Sequence, residues 1–179
     1  MNVLPPYYLC LSLLAVFLLS SPSSSADEGS APVWTQTDDK NTHHVAFRVS
    51  DPACAYQIIA DPAVMAASLP HVKGYEVHDT GPNSMELSIT EVFVKLARGT
   101  SRYKRRFDGS HTISWKLLEG RQKMHDGKWV ITADEGGGLV RFSNRIEAKQ
   151  RFQQSLFRWV QKSTMKDIVR ATRRHCGEG

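Results

Sequence analysis

The sequence predicts an α+β domain with the element order β-α-α-β6-α, and three observations carry it. Asp51-Pro52 and Asp61-Pro62 mark two short helices in succession. Beyond Pro70 the apolar residues recur with period two, and turn residues interrupt them at short intervals. From Arg151 the period becomes helical, and neither Pro nor Gly interrupts it before Gly177.

A first strand is expected over 44–49, starting at about His43, where apolar and polar residues alternate weakly. Each Asp-Pro pair has the form of an N-cap followed by Pro at the first helical position. The helices are therefore placed over 52–59 and 62–68, and Leu69-Pro70 ends the second. Strands follow over 72–79 and from Met85 to about Lys95, joined by a turn at Gly81-Pro82-Asn83. Arg98-Gly99 is expected to turn the chain again. Tyr103, Arg105 and Phe107 then alternate with Arg102, Lys104 and Arg106 in the next strand. Asp108-Gly109 is a hairpin signal, after which His111, Ile113, Trp115 and Leu117 form one face and Glu119-Gly120 begins a loop. Two further strands are expected over 128–134 and 139–148, around Gly136-Gly137-Gly138. In the last segment Phe152, Leu156, Trp159, Val160, Thr164, Ile168 and Ala171 fall on one broad helical face. Lys, Arg and His crowd its final turns, as the helix dipole favours. A curved meander has to cover its apolar face, and only this helix is long enough to do so.

The N-terminal region reads separately. Residues 9–19 are an apolar run followed by Ser24-Ser25-Ala26, small residues of the kind that precede a cleavage site. The run falls short of the ~20 apolar residues a bilayer span requires, so residues 1–26 are expected to be a secretory signal peptide. No Lys or Arg precedes the run, and Cys10 lies before the apolar core, where no lipid is attached. Residues 27–42 are polar and read as a flexible leader, with the domain over 43–176. The mature protein is expected to start near Asp27, secreted or periplasmic after cleavage near Ala26.

The first 26 residues carry no charged side chain, so the formal net charge of +5 belongs to the remainder. A moderate positive charge suits an anionic partner or simple solubility. Cys54 and Cys176 remain after cleavage. A disulfide between them would close a loop of more than ~100 residues and contribute about 4–5 kcal/mol in the chain-entropy account. The alternative is one buried thiol and one in a frayed tail. Nothing in the seven histidines has a zinc spacing with Cys, and His-Glu-x-x-His is absent. His43-His44 starts a strand, where neighbours face opposite sides, so the two do not readily share a metal. Gly-x-Ser-x-Gly, the P-loop and the dinucleotide fingerprint are also absent, and Gly136-Gly137-Gly138 reads as a hairpin turn. No cofactor is implied.

Four stretches carry a resemblance: Ala55-Tyr56-Gln57-Ile58-Ile59-Ala60-Asp61-Pro62, Leu69-Pro70-His71-Val72-Lys73-Gly74-Tyr75-Glu76-Val77, Gly127-Lys128-Trp129-Val130 and Leu139-Val140-Arg141-Phe142. In order and separation the chain resembles the START-like (SRPBCC) superfamily, in its polyketide cyclase/dehydrase and coenzyme-Q-carrier branch, over about residues 45–174. The resemblance implies a helix-grip fold, in which a curved antiparallel sheet wraps around a long C-terminal helix with an elongated apolar cavity between them. It also implies binding or carriage of lipids, sterols, quinones or polyketides, with catalysis in a minority of members. In such a fold the two short helices brace the far end of the long one, which brings Cys54 and Cys176 within reach of a disulfide.

Within that fold the expected cavity walls are Tyr103, Phe107, Trp115, Trp129, Phe142, Leu156 and Trp159; the bland alternative is that they fill a core. Alternation places Glu91 and Arg105 on the same inward face, with Asn144 a third polar group. An inward charge must be paired or reach water. Glu91 and Arg105 can pair, or Arg105 can hold a ligand carboxylate bidentately, or a β-bulge near Glu91 can turn it outward. Arg102, Lys104 and Arg106, with Arg98 and Arg121 nearby, form a basic stripe that either docks to an anionic membrane surface or is merely a solvated strand face. Nucleic acid is not an expected partner, because aromatic residues do not interleave with the stripe.

The sequence thus favours a monomeric, non-catalytic binder or carrier of a hydrophobic small molecule. The rivals are a cyclase/dehydrase-type enzyme using Glu91, Arg105 or His111, and an envelope-docking module with a filled core.

Overall fold

A computed structural model describes residues 34–38, 41–92 and 98–177. Its elements are β1 (Trp34–Thr37), β2 (Thr42–Val49), α1 (Pro52–Ala60), α2 (Pro62–Ser68), β3 (Val72–Gly81), β4 (Ser84–Val92), β5 (Arg98–Phe107), β6 (Thr112–Glu119), β7 (Gln122–Asp134), β8 (Gly137–Ala148) and α3 (Arg151–His175). The strands form one antiparallel sheet in the order β1-β2-β8-β7-β6-β5-β4-β3. Among the described residues only the β2–β8 pairing joins strands distant in sequence, Val45 lying opposite Phe142 and Phe47 opposite Val140. The expected helix-grip arrangement is the one observed, with α3 laid against the inner face of the sheet.

Both short helices begin as their sequences require. The Asp51 carboxylate accepts from the Cys54 N–H at 2.9 Å, and the Asp61 carboxylate accepts from Ala63 N–H at 2.7 Å. Asp61 also ends α1, donating its own N–H to the Gln57 carbonyl at 3.0 Å. Each cap contributes about 1 kcal/mol. At the other end of the chain Cys54 is joined to Cys176 by a disulfide with Cα atoms 5.8 Å apart, which ties the end of α3 to the first turn of α1. The core lies between these layers: Val45, Phe47, Ile113, Ile131 and Val140 from the sheet, Ala55 and Ile59 from α1, and Met165, Ile168 and Val169 from α3.

Three stretches differ from the sequence expectation. Part of the presumed leader is strand β1, paired with β2 from Trp34 opposite Ala46 to Thr37 opposite His43. Residues 1–33 lie outside the described residues, and with them the expected signal peptide and most of the expected leader. Arg98-Gly99 does not turn but opens β5, and the expected continuation of β4 to Lys95 falls outside the described residues. The loop expected after Glu119 is only Gly120-Arg121, and β7 starts at Gln122. A bulge hides β7 in the sequence. Gln122 pairs with Ala148 and Met124 with Glu147, so Lys123 is an extra residue and the alternation changes phase there. At the β7–β8 turn Gly137 adopts φ of 124°, and a Cβ there would lie 2.3 Å from the Val49 carbonyl oxygen. Only glycine fits.

Candidate functional site

Between the sheet and α3 lies a cavity of about 180 Å³. Its floor is aromatic: Trp115 stacks on Phe142 with centroids 5.6 Å apart, and Trp129 lies 4.3 Å from the same ring. Trp115 reaches Phe142, two strands away, because Gly127 stands opposite it on β7. A Cβ on Gly127 would come within 2.3 Å of the Trp115 indole. The roof is the α3 face of Phe157, Val160, Gln161, Thr164, Met165 and Ile168, while Ile59, Met65 and Leu69 of the short-helix region close one end.

A few polar groups interrupt this lining. Glu91 faces inward, its carboxylate 3.7 Å from the His71 imidazole. Burial, opposed by the Arg121 charge, pushes Glu91 up to about 7. Burial also lowers His71, more than Asp167 of α3 raises it. Uncharged forms of both groups are therefore accessible near neutral pH. Beside them the Tyr103 hydroxyl and His125 Nδ1 share a hydrogen bond of 2.9 Å. Burial holds Tyr103 above its ordinary range, with the Glu91 charge acting in the same direction. It also drives His125 down to about 4, so the imidazole is neutral at pH 7. Asn144 lies against that ring and opposes the shift, yet its buried Oδ1 makes no hydrogen bond of acceptable geometry among the described residues.

Arg105 is anchored by the backbone rather than by Glu91. Its guanidinium donates to the Ile59 carbonyl at 2.6 Å and the Ala60 carbonyl at 3.1 Å, at the C-terminus of α1. That is where a helix offers unpaired carbonyls and the negative end of its dipole. Burial lowers it to about 10, so it remains cationic at neutral pH. It does not pair with Glu91. The bulge expected to turn Glu91 outward falls instead on β3, between Val72 and Gly74, and β4 keeps its alternation.

Glu91, Tyr103, Arg105, Trp115, Trp129, Phe142 and Asn144 of the expected residues line the cavity. Phe107, Leu156 and Trp159 do not. Phe107 packs at the edge of the core under the Arg105 guanidinium. Leu156 is half-buried outside the lining, and Trp159 is 63% exposed. The inward face of α3 is rotated from the expected one, centring on Phe157, Gln161 and Met165. Hydropathy alone misplaced it because Gln161 is buried, donating to the Asn144 carbonyl at 3.4 Å. The catalytic candidate His111 is exposed in the β5–β6 turn, outside the cavity. The Asp108 carboxylate shapes that turn, accepting from the backbone of Thr112, His111 and Ser110. Sequence reasoning missed His71, Gln122 and His125. His71 sits between Pro70 and the next strand with no periodicity to orient it, and the β7 bulge concealed the other two. Among the described residues no group of three His, Cys, Asp or Glu is placed to hold a metal ion.

No protein-family model and no curated protein matches the chain. Solved structures do resemble it. The di-domain ARO/CYC StfQ from the steffimycin biosynthetic pathway superposes with a TM-score of 0.67 at 16% identity, over 76% of this chain and 51% of that one. A STAR-related lipid transfer protein from Xanthomonas axonopodis gives 0.64 at 12% identity, over 76% and 85%. A START superfamily protein from Mycobacterium smegmatis gives 0.64 at 14%, over 76% and 97%. The chain spans about half of the di-domain protein and nearly all of the third. Its fold is thus the START-like helix-grip fold. At such identities the likeness concerns architecture alone.

Proposed function

We propose that this chain binds and carries a small hydrophobic molecule of lipid, quinone or polyketide type between its sheet and α3, outside the cytoplasm. The observation that carries this reading is the unfilled cavity. Protein interiors pack like organic crystals, so a cavity of about 180 Å³ lined largely by aromatic and aliphatic side chains leaves wall atoms without packing partners, and a guest in it supplies them. A smaller engineered void, of about 150 Å³, suffices for benzene, so the space suits one ring or a short chain segment. Asn144, its side chain against His125 at the cavity wall, favours a guest with a hydroxyl or N–H at that end. Because Arg105 is held by backbone carbonyls and Glu91 faces the space, a neutral guest fits better than a carboxylate. The Cys54–Cys176 disulfide supports an oxidising compartment.

Native mass spectrometry of protein purified without organic solvent tests the reading. The expected result is a small neutral adduct that solvent extraction removes, leaving a protein that enhances a hydrophobic fluorescent probe. Apo mass together with indifference to such probes would overturn it.

One observation favours a second reading, proton-transfer catalysis on the guest: Glu91, with its affinity for a proton near neutrality, beside His71 at the cavity wall. Incubating the protein with its own extracted adduct separates the two readings. Conversion by the wild type but not by Glu91→Gln marks an enzyme, whereas recovery of unchanged adduct from both marks a carrier.

A further inference from the structure

Of the described elements α3 carries the largest net positive charge, followed by β5. Of 23 Lys and Arg and 18 Asp and Glu in the chain, α3 holds seven and one, so the rest of the sequence has a net charge of −1. Five of the seven are Arg158, Lys162, Lys166, Arg170 and Arg174, spaced four apart, and all five are exposed. Four residues advance about 40° beyond a full turn, so they cover a broad outward arc along most of the helix. Trp159, 63% exposed, falls within that arc near its N-terminal end. Like charges at this spacing repel and weaken a helix. The single acidic residue of α3, Asp167, contacts Arg170 at 3.5 Å and leaves the arc strongly cationic.

The basic stripe singled out from the sequence lies elsewhere, and two of its cations share one carboxylate. Glu86 of β4 accepts from Arg102 at 2.9 Å and from Lys104 at 3.3 Å. The outer face of α3, turned away from the sheet, keeps an excess of cations over its single carboxylate.

We infer that this outer face of α3 docks the protein on an anionic lipid surface, Trp159 entering the headgroup region and the five cations lying over it. A helix of 25 residues is about 37 Å long at 1.5 Å per residue, which gives a long, nearly flat contact. Indole rings settle at the boundary between headgroups and chains. Long Lys and Arg stems lie along such a boundary with their charges in water. Base-edge readout asks for different chemistry, because one aromatic in a row of cations provides no stacking platform for successive bases.

The test uses the chain from Asp27 on. It holds every described element and lacks the apolar run over 9–19, which would itself enter a bilayer. Sedimentation with phosphatidylcholine vesicles, with and without phosphatidylglycerol, is expected to show binding only to the anionic ones, weakening as salt rises. Removing two cations in Lys162→Gln/Lys166→Gln is expected to lower partitioning about 25-fold, at about 1 kcal/mol per cation near the surface. Tryptophan emission is expected to shift to the blue on binding, and that shift to vanish in Trp159→Phe. Arg102→Gln/Lys104→Gln is expected to bind as the wild type does. All these positions are exposed or on a strand's outer face, and superimposed thermal melts verify the fold. The proposal is overturned if anionic vesicles are not bound, if the lysine pair makes no difference, if the sheet pair abolishes binding, or if heparin or single-stranded DNA is bound while vesicles are not.

Discussion

Replacing Val160 with Phe tests whether the space beneath α3 is empty, because the sign of the effect depends on it. Val160 sits mid-helix on the roof of the cavity, and Val and Phe have similar helix propensities, so the backbone contributes little. Phe adds four carbons. If they enter vacant apolar space, burial at about 0.8 kcal/mol per carbon sets an upper bound near 3 kcal/mol of added stability. In a filled core the same change overpacks and destabilises by about 1–3 kcal/mol. The two cases therefore differ by several kcal/mol and in direction. For a domain of this size each kcal/mol moves Tm by roughly 2–4 °C, so solvent-extracted Val160→Phe should melt several degrees above extracted wild type. It should also bind a hydrophobic probe at least tenfold more weakly, since its ring occupies the guest's place. A lower Tm with unchanged probe binding would refute the reasoning.

Three further expectations follow from the same geometry. Reduction, or the pair Cys54→Ala/Cys176→Ala, opens a crosslink between residues 122 apart and should cost about 4–5 kcal/mol in the chain-entropy account, read as a large fall in Tm. A thiol count on the denatured, unreduced protein from Asp27 on should find none, and two would disprove the link. Gly127→Ala forces a methyl into the Trp115 indole and the Ser143 carbonyl. It should destabilise by about 1–3 kcal/mol and change the near-ultraviolet circular dichroism, and a variant identical to wild type in both would show that Trp115 does not lie across β7. The pH dependence has two parts of opposite sign. Glu91 binds its proton more tightly folded than unfolded, so its contribution is present below about 4.5 and is lost as pH rises to about 7. His125 binds its proton less tightly folded, so its contribution is present above about 6.5 and is lost as pH falls toward 4. Denaturant titrations should show Glu91→Gln losing only the first of these, and an unchanged profile in that variant would contradict a buried Glu91.

Much of the architecture was legible in the residues. The two Asp-Pro caps fixed α1 and α2 because the capping carboxylate and the proline ring act locally. The uninterrupted helical period fixed α3 from Arg151. Alternation places Glu91, Tyr103, Arg105, Trp115 and Phe142 inward, as observed, because the β5–β6 register shift at Arg102/Tyr103 falls beyond Trp115 on β6. What stayed hidden depends on tertiary context. The extra residue at Lys123 reverses the alternation of β7, so a strand carrying Gln122 and His125 reads as loop. Trp159 is apolar yet exposed, and Gln161 is polar yet buried, so hydropathy rotated the face of α3. The partner of Arg105 is a pair of carbonyls some 45 residues earlier in the chain, which no side-chain pattern records. Strand β1 is four residues at a sheet edge, held by β2 rather than by any pattern of its own.

The claim beneath all of this is that apolar room remains between the aromatic floor and α3. A crystal structure of the solvent-extracted protein under xenon pressure measures it most directly. The account predicts ordered xenon among Leu87, Trp115, Phe142 and Ile168, whereas a floor and roof in van der Waals contact, with no xenon between them, would contradict it.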